Sequence, residues 1–164
     1  GKRVLVVRGA ACSTLQSGTE PDAALPGVGR EWLIGQCRAL GAQVQSTILP
    51  DGVEPLRGHL RTLADNGVEL ILCTGGTGLG PRDDTPEALR SLGGREVPGL
   101  AELCRSDGRH HTALSWLSRM VAVQTDNCLI IALPGSPKAV SQNFAILAPI
   151  LAHALAMIAG KDHA

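Results

Sequence analysis

Residues 73–89 read CTGGTGLGPRDDTPEAL, with four glycines and two adjacent aspartates between an apolar run and a helix start. The preceding run, VELILC over 68–73, shows no polar–apolar alternation. That pattern is expected of a strand buried on both faces. Beyond the loop, Thr85 is a candidate N-cap, Pro86 suits the first helical position and Glu87 puts negative charge in the first turn. A buried strand, a glycine loop and a new helix together describe the junction of a parallel α/β sheet. Ligands of such sheets bind beyond the carboxyl ends of the strands.

Working outward, RVLVV (3–7) predicts another doubly buried strand, followed by a Gly/Ala/Ser/Thr/Pro-rich loop over 8–27. A helix over about 28–40 is closed by Gly41, and residues 42–49 read as a strand. Pro50-Asp51-Gly52 makes a turn, and Val53, Leu56, Leu60 and Leu63 then form a helical stripe ended by Gly67. Residues 99–107 predict a short helix. RMVAV and CLIIAL read as two strands joined by a hairpin turn at Gln124–Asn127. After PGSPK, Ser136 can cap a last helix whose stripe is Val140, Phe144, Leu147, Leu151, Leu155 and Ile158. The expected fold is therefore a three-layer α/β/α arrangement with a mostly parallel sheet, as one domain over 1–164. The loops 8–27, 50–52, 74–85 and 134–138 all follow strands and should converge on one edge of that sheet.

Composition narrows the function. The chain has 164 residues, 44% hydrophobic and 18% charged, which fits a packed chain and argues against disorder. Zero formal net charge supplies no long-range field for nucleic acid or an anionic membrane. Trp32, Trp116 and Phe144 are the only aromatics, so stacking platforms for bases are few. Cys12, Cys37, Cys73, Cys104 and Cys128 form no CxxC pair and are read as buried free thiols of a reducing compartment. No leader-like run and no ~18-residue uninterrupted apolar stretch is present, so a cytoplasmic protein that neither enters nor binds a membrane is expected. His110 and His111 lack the i, i+4 spacing of a helical zinc site and are read as surface or pocket-edge residues.

The glycine loop is not a Walker A sequence, because no Lys occurs between 74 and 89. It is not a dinucleotide fingerprint either, because Pro81 stands where the third glycine belongs. Gly75, Gly76 and Gly78 can nevertheless take positive φ and expose N–H groups as an anion-binding hollow. Thr74 and Thr77 add hydroxyls. Pro134, Gly135, Ser136 and Lys138 repeat that logic at a helix N-terminus. Asp51, Asp83 and Asp84 lie in the same set of loops, where carboxylates would repel a phosphate. A divalent cation bridging both resolves the conflict. The residues thus point to a phosphorylated ligand and to metal-assisted phosphoryl or nucleotidyl transfer.

TGGTGLGPRDDTPEAL, REVPGL, LSR and LPGSPKAV, in this order over roughly 70–140, resemble the molybdopterin-binding family, which includes Mog, MoaB, the plant Cnx G domain and the gephyrin G domain. The resemblance implies a three-layer α/β fold, usually trimeric, that adenylylates molybdopterin with MgATP and releases pyrophosphate. By position it implies that Asp51 and Asp83 are the functional acids and hold Mg²⁺. It places Thr74, Gly75, Gly76, Thr77 and Gly78 toward the nucleotide and pterin phosphates, and Ser118, Pro134, Gly135, Ser136 and Lys138 around the pterin or its phosphate. Arg119 is either an anion contact or a salt-bridge residue at a strand start. Other molybdenum-cofactor enzymes are the implied protein partners. One departure stands out: Arg8-Gly9 occupies the place of the acid that follows the first strand in the family, and Asp22 is the next carboxylate. The alternative reading is therefore a non-catalytic molybdopterin-binding or scaffold domain, part of a fused cofactor-biosynthesis protein.

Overall fold

The structure, a computed structural model, describes residues 3–9 and 28–161, with side chains from residue 31 onward. Cys12, Asp22 and most of the loop expected over 8–27 lie outside the described residues. Among the described residues six strands form one sheet in the order β2-β1-β3-β6-β5-β4. These are β1 (Arg3–Gly9), β2 (Gln43–Leu49), β3 (Leu70–Thr74), β4 (Arg95–Glu96), β5 (Ala122–Thr125) and β6 (Cys128–Leu133). The pairs β1–β2, β1–β3 and β3–β6 are parallel, while β5 runs antiparallel to both β6 and β4. The mostly parallel three-layer fold expected from the sequence is the fold observed.

The described residues place helices on the two faces: α1 (Val28–Ala39), α2 (Val53–Asp65), α3 (Thr85–Arg90), α4 (Pro98–Gly108) and α5 (Pro137–Ile158). The unbroken apolar strands explain the layering. In β3, Leu70 and Leu72 join one core cluster and Ile71 and Cys73 the other. In β6, Leu129, Ile131 and Leu133 face the first cluster, and Cys128, Ile130 and Ala132 the second. Every side chain of β3 and β6 is therefore buried whichever way the pleat points it. The first cluster is closed by α1, α4 and α5, the second by α2 and α3. Burying each Leu or Ile is worth roughly 1.5–3 kcal/mol.

The stripe read in the last helix is the one that packs: Val140, Phe144, Leu147, Leu151 and Leu155 are buried, and the Phe144 ring meets Trp32 edge-on at 6.0 Å. By length and composition α5 could cross a membrane, although it holds no uninterrupted apolar run of ~18 residues; its apolar stripe packs on the sheet. Ser136 caps α5 as expected, its Oγ accepting from Ala139 N at 3.5 Å, with Pro137 in the first turn. Cys37, Cys73, Cys104 and Cys128 are buried free thiols, as read. Burial pushes Cys37, Cys104 and Cys128 up to about 12, and Cys73 upward as well.

Three readings needed correction. The RMVAV strand begins only at Ala122, because Arg119 N donates to Thr77 O at 2.8 Å and turns the chain toward the glycine loop. Gln124 and Thr125 belong to β5, which leaves Asp126-Asn127 as the hairpin turn, with Asp126 at φ 48°. Thr85 does not cap α3; Asp84 holds the cap position, without a side-chain bond, and the Thr85 hydroxyl is used elsewhere. The two-residue edge strand β4 carries no sequence signal, since Arg95 and Glu96 are both exposed and charged.

Candidate active site

Parallel pairing puts the carboxyl ends of β1, β2, β3 and β6 on one edge, so the turn at 50–52 and the loops at 74–85 and 134–138 open there together. A hydrogen bond from Gly75 N to Leu133 O, 3.0 Å long, ties the glycine loop to the end of β6. Between the two loops lies a cleft of about 500 Å³. Gly75, Gly76, Thr77, Gly78, Leu79 and Asp83 line one side, and Ser118, Pro134, Gly135 and Ser136 line the other. Leu114 and Leu117, from a single 3-10 turn (Ala113–Leu117), add an apolar wall. Of the residues proposed to hold ligand, Thr74 is buried at the end of β3, 2% exposed, beneath the lining. Lys138 is exposed in the first turn of α5 and does not line the cleft.

Local chemistry shapes the loop. Gly75 and Gly76 sit at φ 94° and 70°, values that a side-chain-bearing residue adopts only with strain. A Cβ on Gly76 would meet Thr85 Oγ1 at 2.2 Å, and a Cβ on Gly78 would meet Asp83 Oδ2 at 2.8 Å. Thr85 Oγ1 donates to Gly75 O at 2.8 Å, and Thr85 N donates to Gly76 O at 3.1 Å. Asp83 Oδ2 accepts from Gly80 N at 2.8 Å, and Asp83 N donates to Gly80 O at 3.0 Å.

The acids divide between two places. Asp83 lines the cleft and braces the loop. Asp51, exposed in the turn after β2, shares a small recess with Arg82 and Asp84. That recess has a volume of about 10 Å³, room for about one water-sized sphere. Burial raises the Asp84 carboxyl above its usual range, and the negative charges of Asp51, Glu87 and Asp83 add to this. Crowded carboxylate oxygens are hard donors of the kind Mg²⁺ takes. Among the described residues no group of three or more His, Cys, Asp or Glu side chains is placed to hold a metal ion, so the side chains alone supply no complete set of metal ligands.

Arg119 is turned away from the cleft lining. Its Nε donates to Gly78 O at 2.8 Å, Nη2 donates to Asp83 O at 2.5 Å and Nη1 pairs with the Glu87 carboxylate. That hydrogen bond holds the Glu87 carboxyl below the usual range. Of the two readings of Arg119, the salt-bridge one describes its contacts. Sequence reasoning missed that Thr85 bonds the loop and that Glu87 pairs with the Arg119 that holds it, and no local pattern marks contacts that span 10 to 41 residues.

The family described as "Probable molybdopterin binding domain" matches residues 18–153. The Synechococcus elongatus molybdenum cofactor biosynthesis bifunctional protein is 42% identical over 134 residues, covering 82% of this chain and 41% of that protein. The Escherichia coli molybdopterin adenylyltransferase is 34% identical over 127 residues, covering 77% of this chain and 64% of that one. The chain thus spans less than two thirds of the length of these curated relatives. The structure of the molybdopterin biosynthesis Mog protein from Mycobacterium ulcerans superposes with a TM-score of 0.82 at 29% identity, over 98% of this chain and 99% of that one. The glycine cleft, the capped PGSP turn and this match over most of the chain agree: the protein belongs to the molybdopterin-binding domain family.

Proposed function

We propose that this chain serves molybdenum cofactor biosynthesis as a molybdopterin adenylyltransferase, transferring the adenylyl group of MgATP to the terminal phosphate of molybdopterin and releasing pyrophosphate. The observation that carries the reading is the cleft itself: a bare-backbone loop faces Ser118 and Ser136, with Asp83 on its wall and Asp51 and Asp84 beside it. The glycine loop provides main-chain donors for phosphate oxygens. Ser118 and Ser136 provide hydroxyls for the pterin or its phosphate. Asp83 on the cleft wall and Asp51 in the adjoining recess would each offer Mg²⁺ a carboxylate, the rest of its shell coming from phosphate oxygens and water, and the ion would neutralise the phosphate charge. The protein's part is alignment of the attacking phosphate with the α-phosphorus, in a site whose donors are already oriented. The relatives named molybdopterin adenylyltransferase support the substrates. We further propose a cytoplasmic homotrimer that hands its product to other molybdenum-cofactor enzymes.

The end of β1 favours a second reading. Arg8 and Gly9 are the last residues of that strand, so a cation and a glycine stand at the cleft-side end where the family resemblance implies an acid. A pterin-binding domain without turnover, within a larger biosynthetic protein, follows from that feature. Incubation with molybdopterin and MgATP separates the two. Pyrophosphate release, lost in Asp83→Asn while pterin binding persists, is the expected result. Pterin binding with no pyrophosphate above a blank refutes the transferase.

A further inference from the structure

The carbonyls of Gly75, Gly76, Thr77 and Gly78 are all taken up by the protein. Gly75 O accepts from the Thr85 hydroxyl, Gly76 O from Thr85 N, Thr77 O from Arg119 N and Gly78 O from Arg119 Nε. In a trans peptide unit the N–H of the next residue points opposite to the carbonyl. The amides of Gly76, Thr77, Gly78 and Leu79 are therefore turned away from Thr85 and Arg119. All four residues line the cleft, and neither Thr85 nor Arg119 does. Among the described residues none of these four amides donates to a protein acceptor.

We infer that Arg119 is a positioning residue: with Thr85 it draws the loop carbonyls back and so aims four consecutive amides at an anionic group of the ligand. The inference rests on reading the cleft as a phosphate site. Arg119 does this from outside. Its three guanidinium nitrogens are each engaged, on Gly78 O, Asp83 O and Glu87, and its charge is paired. One planar group thus binds the start of the loop, its far end and α3 together. A lysine ammonium cannot span two carbonyls and a carboxylate in that fork geometry. A lysine would, however, substitute well for an arginine that touched the anion as a charge, since Lys is itself a good phosphate ligand.

The test uses ¹⁵N-labelled protein titrated with inorganic pyrophosphate in the presence of magnesium chloride. In the wild type, the amide resonances of Gly76, Thr77, Gly78 and Leu79 are expected to shift together. Arg119→Met and Arg119→Lys are both expected to weaken pyrophosphate by at least about tenfold, the scale of a lost charge-assisted fork. Lysine retaining affinity within about twofold would show direct charge contact and overturn the inference, as would unchanged binding in Arg119→Met. If these variants do not fold, Glu87→Ala removes one arm of the fork from outside the loop. Weaker pyrophosphate binding there supports positioning, and unchanged or tighter binding overturns it. Failure of the wild-type amides to respond at all would instead sink the phosphate-site reading, and the inference with it.

Discussion

Gly76→Ala gives the sharpest perturbation of the loop. At φ 70° the new alanine pays for a left-handed backbone, roughly 1–2 kcal/mol. Its Cβ would also stand 2.2 Å from Thr85 Oγ1, which must leave. That hydroxyl donates to Gly75 O in a buried bond, so its departure strands a carbonyl at about 1–3 kcal/mol. The sum is about 2–5 kcal/mol, a fall in Tm on the order of 10 °C for a chain of this size. Denaturant unfolding of the wild type, Gly76→Ala, Thr85→Ala and the double variant measures the pieces. In the Thr85→Ala background the hydroxyl is already gone and only the tight 3.2 Å contact with the residue-85 Cβ remains, so Gly76→Ala should cost mainly the backbone component, about 1–2 kcal/mol. The cycle should therefore show a coupling of about 1–3 kcal/mol. Costs that add to within about 0.5 kcal/mol would refute the claim that Gly76 is glycine because of Thr85. So would a single variant as stable as the wild type.

Two further predictions concern titration and reactivity. The Glu87 carboxyl is held low by its hydrogen bond from Arg119, so its contribution is present above the ordinary value of 4.5 and is lost as pH falls through its lowered folded value. Glu87→Gln should lower Tm on the order of 1 °C at neutral pH, with the gap closing in acid; thermal melts from pH 7 to 3 check this, and a gap that persists at low pH refutes it. Cys37, Cys104 and Cys128, with thiols pushed up to about 12 by burial, should resist iodoacetamide at pH 8 in the native state and react in denaturant. Mass spectrometry of the labelled peptides reads the difference.

The architecture was legible because LILC (70–73) and CLIIAL (128–133) are apolar at every position, and only a sheet with helices on both faces buries such strands completely. The place of the glycine loop on a cleft was legible for a related reason: so much bare backbone at one junction is costly unless it leaves room for something to approach. The internal wiring of that loop was not legible. Thr85 precedes a proline and a glutamate, which is the local pattern of an N-cap, yet its hydroxyl goes to Gly75 because tertiary proximity offers a buried carbonyl. Arg119 lies 41 residues from Gly78, and nothing in LSR says which carbonyls its guanidinium will find. The two aspartates of RDDTPE look equivalent in the sequence, and only the path of the chain sends Asp83 to the loop and Asp84 toward Asp51.

The bond from Gly75 N to Leu133 O carries a consequence for engineering. Transplanting TGGTG alone onto another parallel sheet would carry over the peptide without its shape. The portable unit is a discontinuous one: the glycines, the threonine that opens α3, the Ser-Arg step before β5, and the last residue of β6 that receives the loop. A host scaffold must supply all four segments in register, and lengthening any one of them would slacken the other three.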